Sequence, residues 1–269
     1  MTDRVAILGG GKMGEALLAG LLRAGRSADD VVVSTRRPER ATALRERFGV
    51  TTMSSAEAAK SSDTLVITVK PQDMATLLSE IEPHVTRAQL VVSVAAGITA
   101  SFIERRLVED VPVVRVMSNT PVLVDEAMSA ISAGTHADES HMLRTEALLA
   151  PVGRTIRVPE SQQDAVTALS GSGPAYFFYL VEAMTDAGIA LGLPRQVAHD
   201  LIVQTAIGAA VMLRDSGEHP VTLREAVMSP AGTTIAALKE MEEYRVRAAM
   251  LAALAAARDR SRELASGHD

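Results

Sequence analysis

The sequence predicts an α/β fold in two parts, a parallel-sheet half over residues 1–160 and an all-helical half over residues 161–269. Three observations carry this. Short β-branched runs alternate with helically periodic stretches as far as Val158, strand signals then stop, and the remaining chain is punctuated into helices by Gly and Pro. The expected strands are 5–8, 31–35, 64–69, 90–94, 113–117, 128–132 and 155–158, in a parallel βαβ rhythm. Between them, stretches such as 12–23 and 73–81 place apolar residues at helical spacing and close each crossover over the sheet.

In the second half one helix is expected over 174–191, stopped by Gly192 and Pro194, and another over 195–216, stopped by Gly217 and Pro220. Thr222 with Glu225 three residues on has capping-box spacing and opens a short third helix. Ser229-Pro230-Ala231-Gly232 breaks the chain before a fourth, 233–242, and an Ala-rich helix runs to about residue 265. Residues 201–213 are apolar nearly all round, which asks for cover on every side. A helix-swapped or interlocked homodimer supplies it.

Composition narrows the partners. The chain has 269 residues, 47% of them hydrophobic, and 33 acidic against 27 basic side chains give a net charge of -6. No basic face of the kind that nucleic acid or an anionic membrane requires is expected, so the partners are small molecules or copies of the chain. With no Cys there is neither a disulfide framework nor a thiolate metal site, and no metal is expected. The first residues show no charged leader ahead of an apolar segment, and the run 201–213 contains Gln204 and is shorter than the ~20 residues a bilayer needs. The expectation is a cytoplasmic protein without a membrane span.

The strongest local motif is Gly9-Gly10-Gly11-Lys12-Met13-Gly14, a G-x-G-x-x-G directly after a strand and before a helix. Gly9 permits the tight turn, Gly11 lets the backbone approach a pyrophosphate, and Gly14 allows close helix–strand packing, while helix amides face the phosphates. This is the fingerprint of a Rossmann-type dinucleotide-binding domain. The second strand ends in Arg36-Arg37, where an acid would hold the ribose hydroxyls of NAD. Two guanidinium groups suit the 2′-phosphate of NADP instead, so NADP(H) is preferred and NAD(H) remains possible; the bland alternative is a pair of solvated charges. Further strand-end loops hold Val69, Lys70 and Pro71, then Ala95 and Ala96, then Asn119. Small residues at 95–97 leave room for a nicotinamide ring and Lys70 suits phosphate or ribose oxygens, although turn geometry alone also favours such residues.

The helical half offers no convincing general base. Its histidines are His199, His219 and His268, in a helix, before a helix-breaking proline and near the chain end. By contrast Ser229, Gly232, Thr233 and Thr234 gather hydroxyls and amides at a helix start, which suits a carboxylate, or simply caps the helix with Ser229 at the cap and Pro230 first in the helix. Residues 170–179, SGSGPAYFFY, place Tyr176, Phe177, Phe178 and Tyr179 together in a chain with only 3 Tyr and 4 Phe. They read as an apolar wall or as a helix start packing into a core.

Residues 169–195, the SPAGTT of 229–234, the VKPQ of 69–72 and the NTP of 119–121 together resemble the pyrroline-5-carboxylate reductase family, in the right order over nearly the whole chain. The resemblance implies reduction of 1-pyrroline-5-carboxylate to L-proline by NAD(P)H, the last step of proline biosynthesis. It implies an obligate homodimer with interlocked helical domains, with higher assembly open, and a substrate site at the domain and subunit junction. By the same resemblance the 229–234 turn holds the substrate carboxylate, Thr234 addresses the ring nitrogen as the catalytic group, and Glu160 lines the pocket. Two positions depart from the family's pattern. Ser118 stands for Pro and Ala231 for Gly, and ordinary helical or extended backbone angles are expected at Ala231.

The missing base agrees with that chemistry, since a protonated imine is already electrophilic and needs alignment more than proton abstraction. A β-hydroxyacid dehydrogenase would need a catalytic lysine, and Lys239 lacks a G-x-x-x-N-x-x-K setting. A non-enzymatic NADP sensor would have no use for SGSGPAY and SPAGTT together.

Overall fold

The structure, a computed structural model, describes residues 3–266. The strands among them are β1 (Val5–Leu8), β2 (Val31–Ser34), β3 (Thr51–Met53), β4 (Thr64–Ile67), β5 (Leu90–Ser93), β6 (Val113–Met117), β7 (Ala127–Ala133) and β8 (Gly153–Arg157). They form one sheet in the order β3-β2-β1-β4-β5-β6-β7-β8. The helices laid over it are α1 (Lys12–Arg23), α2 (Pro38–Phe48), α3 (Ser55–Lys60), α4 (Met74–Ile81), α5 (Ala100–Glu104), α6 (Glu139–Leu149) and α7 (Gln163–Val166). Alternate residues of the central strands feed two separate cores: Val5, Ile7, Val31 and Val33 on one face, Ala6, Leu8 and Val32 on the other. Cover on both faces is why these strands read as unbroken apolar runs.

Two features differ from the sequence reading. Strand β3 is a three-residue edge strand, too short and too exposed to carry a hydrophobic signal. Strand β7 pairs antiparallel with β6, with Met117 opposite Ala130, and so breaks the parallel rhythm. A parallel crossover takes a dozen or more residues, and residues 118–126 are too few for one. Strand β8 then returns parallel to β7 after α6.

The helical half comprises α8 (Gly173–Ala190), α9 (Arg195–Asp215), α10 (Pro220–Ala226), α11 (Thr233–Glu243) and α12 (Val246–Ser266). Helix α10 begins earlier than the Thr222/Glu225 spacing suggested, because His219 caps it through Nδ1, which accepts from the Val221 N–H at 3.2 Å. His199 is exposed, and His268 lies outside the described residues. Before α8 the chain makes a wide π turn, residues 167–171, closed by the Ser172 N–H donating to the Thr167 carbonyl at 2.8 Å.

The chain divides into two compact units, one holding residues up to Ser172 together with those from Ala256 on, the other Gly173–Ala255. The boundary expected at residue 160 precedes that division, and the last turns of α12 belong to the first unit.

Within the second unit, α8 and α9 pack as a hairpin in which a Cβ on Gly188 would lie 2.8 Å from the Ala198 Cβ. Only Gly173, Thr185 and Ala198 of these two helices are buried, and Phe177, Phe178 and Tyr179 are each about two-thirds exposed. The rings do not pack into a core of this chain. Helix α9 has 21 residues and contains an 18-residue window of mean hydropathy 1.3, so by length and composition alone it could cross a membrane.

Candidate active site

The G-x-G-x-x-G loop joins β1 to α1 where the strand order reverses between β1 and β4, the place where ligands bind in open α/β sheets. Gly9 has φ +127, and a Cβ there would lie 2.7 Å from Thr68 Oγ1. A Cβ on Gly14 would overlap the Gly9 carbonyl oxygen, so α1 sits against the strand as closely as the backbone allows. Gly11 is different: a Cβ there meets nothing within 4 Å, and its φ of -76 suits any residue. Nothing in the protein requires that glycine, and the space before it is free for a ligand. As N-cap of α1, Gly11 offers no side-chain acceptor, which leaves the first-turn amides free for an anion.

The loop opens on a cleft of about 730 Å³. Gly9, Gly11, Lys12, Arg36, Arg37, Val69 and Lys70 of the expected cofactor residues line it together. Its charged lining is Lys12, Arg36, Arg37, Arg40 and Lys70 against Glu15, Asp73 and Glu80, a basic excess in a chain of net charge -6. Arg36 pairs with Asp73 at 2.7 Å, whereas among the described residues no acid pairs with Arg37.

Met13 turns its side chain onto the core and can offer a ligand only its backbone, and Pro71 begins the turn ahead of α4. Ala95, buried, and Ala96, exposed, follow β5 outside the cleft lining. Asn119 is committed elsewhere: its Nδ2 donates to the Ser170 carbonyl and hydroxyl at 3.3 Å, and its Oδ1 accepts from the Met128 N–H at 3.1 Å. Its side chain ties the loop after β6 to the π turn, so a contact with the cofactor would fall to its backbone. Ser118, next to it, accepts a 2.9 Å hydrogen bond from Ser129, a contact that proline would lack.

Two cleft residues escaped the sequence reading. Thr68 Oγ1 donates to the Gly9 carbonyl at 2.6 Å, and Arg40 Nε donates to the Gly10 carbonyl at 2.7 Å while also pairing with Glu15. Both hold the loop carbonyls in place. An arginine after Pro38 and a threonine after a strand carry no motif, so only coordinates reveal them.

In the second unit, residues 229–232 form a tight turn closed by the Gly232 N–H donating to the Ser229 carbonyl at 3.0 Å. Gly232, not Ser229, is the N-cap of α11, and it provides no side-chain cap. The capping alternative therefore fails, and the first-turn amides, with the Thr233 and Thr234 hydroxyls, stay available. Ser229 Oγ lies against Gly232, where a Cβ would collide with it.

Ala231 has φ +57, contrary to the expectation of ordinary angles. A turn with Pro at its second position and positive φ at its third follows type II geometry, and that geometry overrides the preference of alanine. Ala231→Gly is therefore expected to stabilise the protein by about 0.5–1 kcal/mol, the left-handed cost relieved less the added unfolded-chain entropy. Thermal unfolding checks this, and a lowered Tm would refute the strain.

Glu160 lies in the first unit. Its Oε1 accepts from the Ala100 N–H at 2.8 Å and from Arg115 at 3.2 Å.

Fold and cleft define a Rossmann-type dinucleotide-binding oxidoreductase with a helical second part. The family model described as NADP oxidoreductase coenzyme F420-dependent matches residues 4–97, and that for pyrroline-5-carboxylate reductase dimerisation matches residues 160–264. A pyrroline-5-carboxylate reductase of Corynebacterium melassecola is 43% identical over 97% of this chain and 98% of its own. The solved pyrroline-5-carboxylate reductase of Coxiella burnetii superposes with a TM-score of 0.93 at 34% identity, covering 98% of this chain and 99% of that one. The Plasmodium falciparum enzyme, solved with NADP bound, gives 0.87 at 26% identity, covering 98% of each. The chain belongs to the pyrroline-5-carboxylate reductase family, a family of NAD(P)-dependent oxidoreductases.

Proposed function

We propose that the chain reduces 1-pyrroline-5-carboxylate to L-proline with NADPH. Two features support the reading: in the first unit a basic, glycine-walled cleft, and in the second an uncapped helix start with Thr233 and Thr234, preceded by the turn that holds Ser229. The cleft binds the dinucleotide, with the α1 amides and Lys12 at the pyrophosphate and Arg36 and Arg37 at the 2′-phosphate. The α11 amides and Ser229 hold the substrate carboxylate, and the Thr234 hydroxyl accepts from the protonated ring nitrogen. Bound in the cleft, NADPH would supply a hydride from nicotinamide C4 to ring C5, with the C=N π pair passing to nitrogen to give NADP⁺ and proline. Alignment of ring and nicotinamide, rather than a base, lowers the barrier.

The exposed apolar faces of α8 and α9 are covered by a second copy of the chain, which makes the enzyme a homodimer. The family's dimerisation model over these residues supports that cover rather than lipid, as do His199, Asp200 and Gln204 within α9.

The test is NADPH absorbance with the imine and purified protein, where oxidation is expected and its absence would refute the reading. In the same assay Arg36→Ala with Arg37→Ala raises the NADPH KM about 10- to 100-fold and the NADH KM little, the loss of charge-assisted bonds to the 2′-phosphate. Equal changes for both cofactors would remove the arginines from that role.

A further inference from the structure

Glu160, in the first unit, answers a buried charge. Its side chain is 31% exposed and that of Arg115 only 6%, so Arg115 is a buried charge whose counter-ion is Glu160. The same Oε1 caps the first amide of α5, directly after the loop 95–99 that leaves β5. Thr99 is the N-cap of α5, its hydroxyl accepting from the Phe102 N–H at 3.1 Å, so the loop's exit is pinned twice. At its middle the loop lies beside α12: Gly97 has φ +73, and a Cβ on it would be in ordinary contact, 3.9 Å, with the Ala265 amide nitrogen. That end of α12 is fastened by the buried Ser261, which donates to Asp164 at 2.7 Å, four residues after Glu160.

The loop emerges at the carboxyl end of β5, in the half of the sheet beyond the switch point, where the second half of a dinucleotide lies. Its conformation therefore sets how closely a nicotinamide ring approaches the backbone.

We propose that Glu160 is a positioning residue, which holds the 95–100 loop against the nicotinamide with Arg115 as its buried counter-charge, rather than a ligand of the substrate. The inference rests on the proposed reduction for its kinetic readout, but its structural readout does not. A carboxylate that binds substrate would set the KM of the imine. One that sets the loop changes kcat, because hydride transfer is sensitive to misplacement of an ångström or less.

The experiment uses the full chain and compares Glu160→Ala with Glu160→Gln, whose amide oxygen still accepts from the Ala100 N–H. Glu160→Ala is expected to lower kcat about 10- to 100-fold, with the KM of the imine and the Kd of NADPH changed less than about twofold. Glu160→Gln is expected to recover most of that loss. Amide exchange over residues 95–104, measured with and without NADPH, gives the second readout. Protection by NADPH is expected in the wild type and Glu160→Gln and lost in Glu160→Ala. A raised KM at unchanged kcat, equal losses in both variants, or unchanged exchange would each overturn the proposal. If Arg115, left charged and buried, prevents Glu160→Ala from folding, Arg115→Met combined with Glu160→Gln removes the charge and keeps the acceptor. That double variant is expected to retain loop protection, and loss of it overturns the proposal. A wild type that protects the loop with NADPH yet leaves the imine unreduced would refute the proposed reaction and leave the positioning role standing.

Discussion

Thr234→Ala lowers kcat/KM for 1-pyrroline-5-carboxylate about 100-fold while the NADPH dissociation constant stays near the wild-type value, the scale seen when one preorganised polar contact to a reacting group is removed. The argument is local. Thr234 is the second residue of α11, and among the described residues its hydroxyl has no hydrogen-bond partner, so deleting it disturbs no internal contact. The uncapped amides of that turn remain, and the carboxylate contact with them. What is lost is the hydroxyl that the proposed reaction sets at the ring nitrogen. Thr234→Ser keeps the hydroxyl and should recover most of the activity, whereas Thr234→Val, of the same shape, should not. Steady-state kinetics beside cofactor titration decide this, and undiminished turnover in Thr234→Ala would take the residue out of the mechanism.

The second large effect separates two glycines of one motif. Gly14→Ala would drive a methyl group into the Gly9 carbonyl and within 2.8 Å of Thr68 Oγ1, neither of which can withdraw without moving the sheet. A loss of about 3 kcal/mol or more, or failure to fold, is expected. Gly11→Ala meets no protein atom within 4 Å and has φ -76, so its thermal unfolding should match the wild type. Its methyl group instead enters the space proposed for the pyrophosphate, and NADPH affinity should fall about 100-fold. Unfolding curves and cofactor titrations on both variants test the distinction. Parallel behaviour of the two would show that the motif does not divide its labour in this way.

Much of the fold was legible because its signals are local. The central strands are covered on both faces, so they announce themselves as apolar runs, and the helices of the second half are punctuated by Gly192, Pro194, Gly217 and Pro220. The direction of β7 was not, since direction depends on where nine intervening residues can reach rather than on what they are. The turn at Ala231 shows the limit from the other side. Alanine argues for ordinary angles, but the hydrogen bond from Gly232 to Ser229 and the proline between them fix the backbone regardless. Of the proposed cofactor residues, the motif glycines and the arginines that follow β2 can be read from a pattern. Thr68 and Arg40 owe their place to distances across the sheet, and only coordinates show that the Asn119 side chain is bonded to Ser170 and Met128. Glu160 was found by resemblance, yet only the position of Arg115 shows what its charge answers.

The return of α12 to the first unit bears on how the protein can be taken apart. The helical unit is an insertion with two covalent joins, not an appendage with one. A chain truncated after Ser172 would lose Ser261 from Asp164 and Ala265 from beside Gly97, and so would not reproduce the first unit. During folding, docking the last turns of α12 is a ring closure around the whole insert, whose entropic cost grows only with the logarithm of its length. The insert can therefore vary in size across evolution at little thermodynamic expense, provided both of its ends still meet.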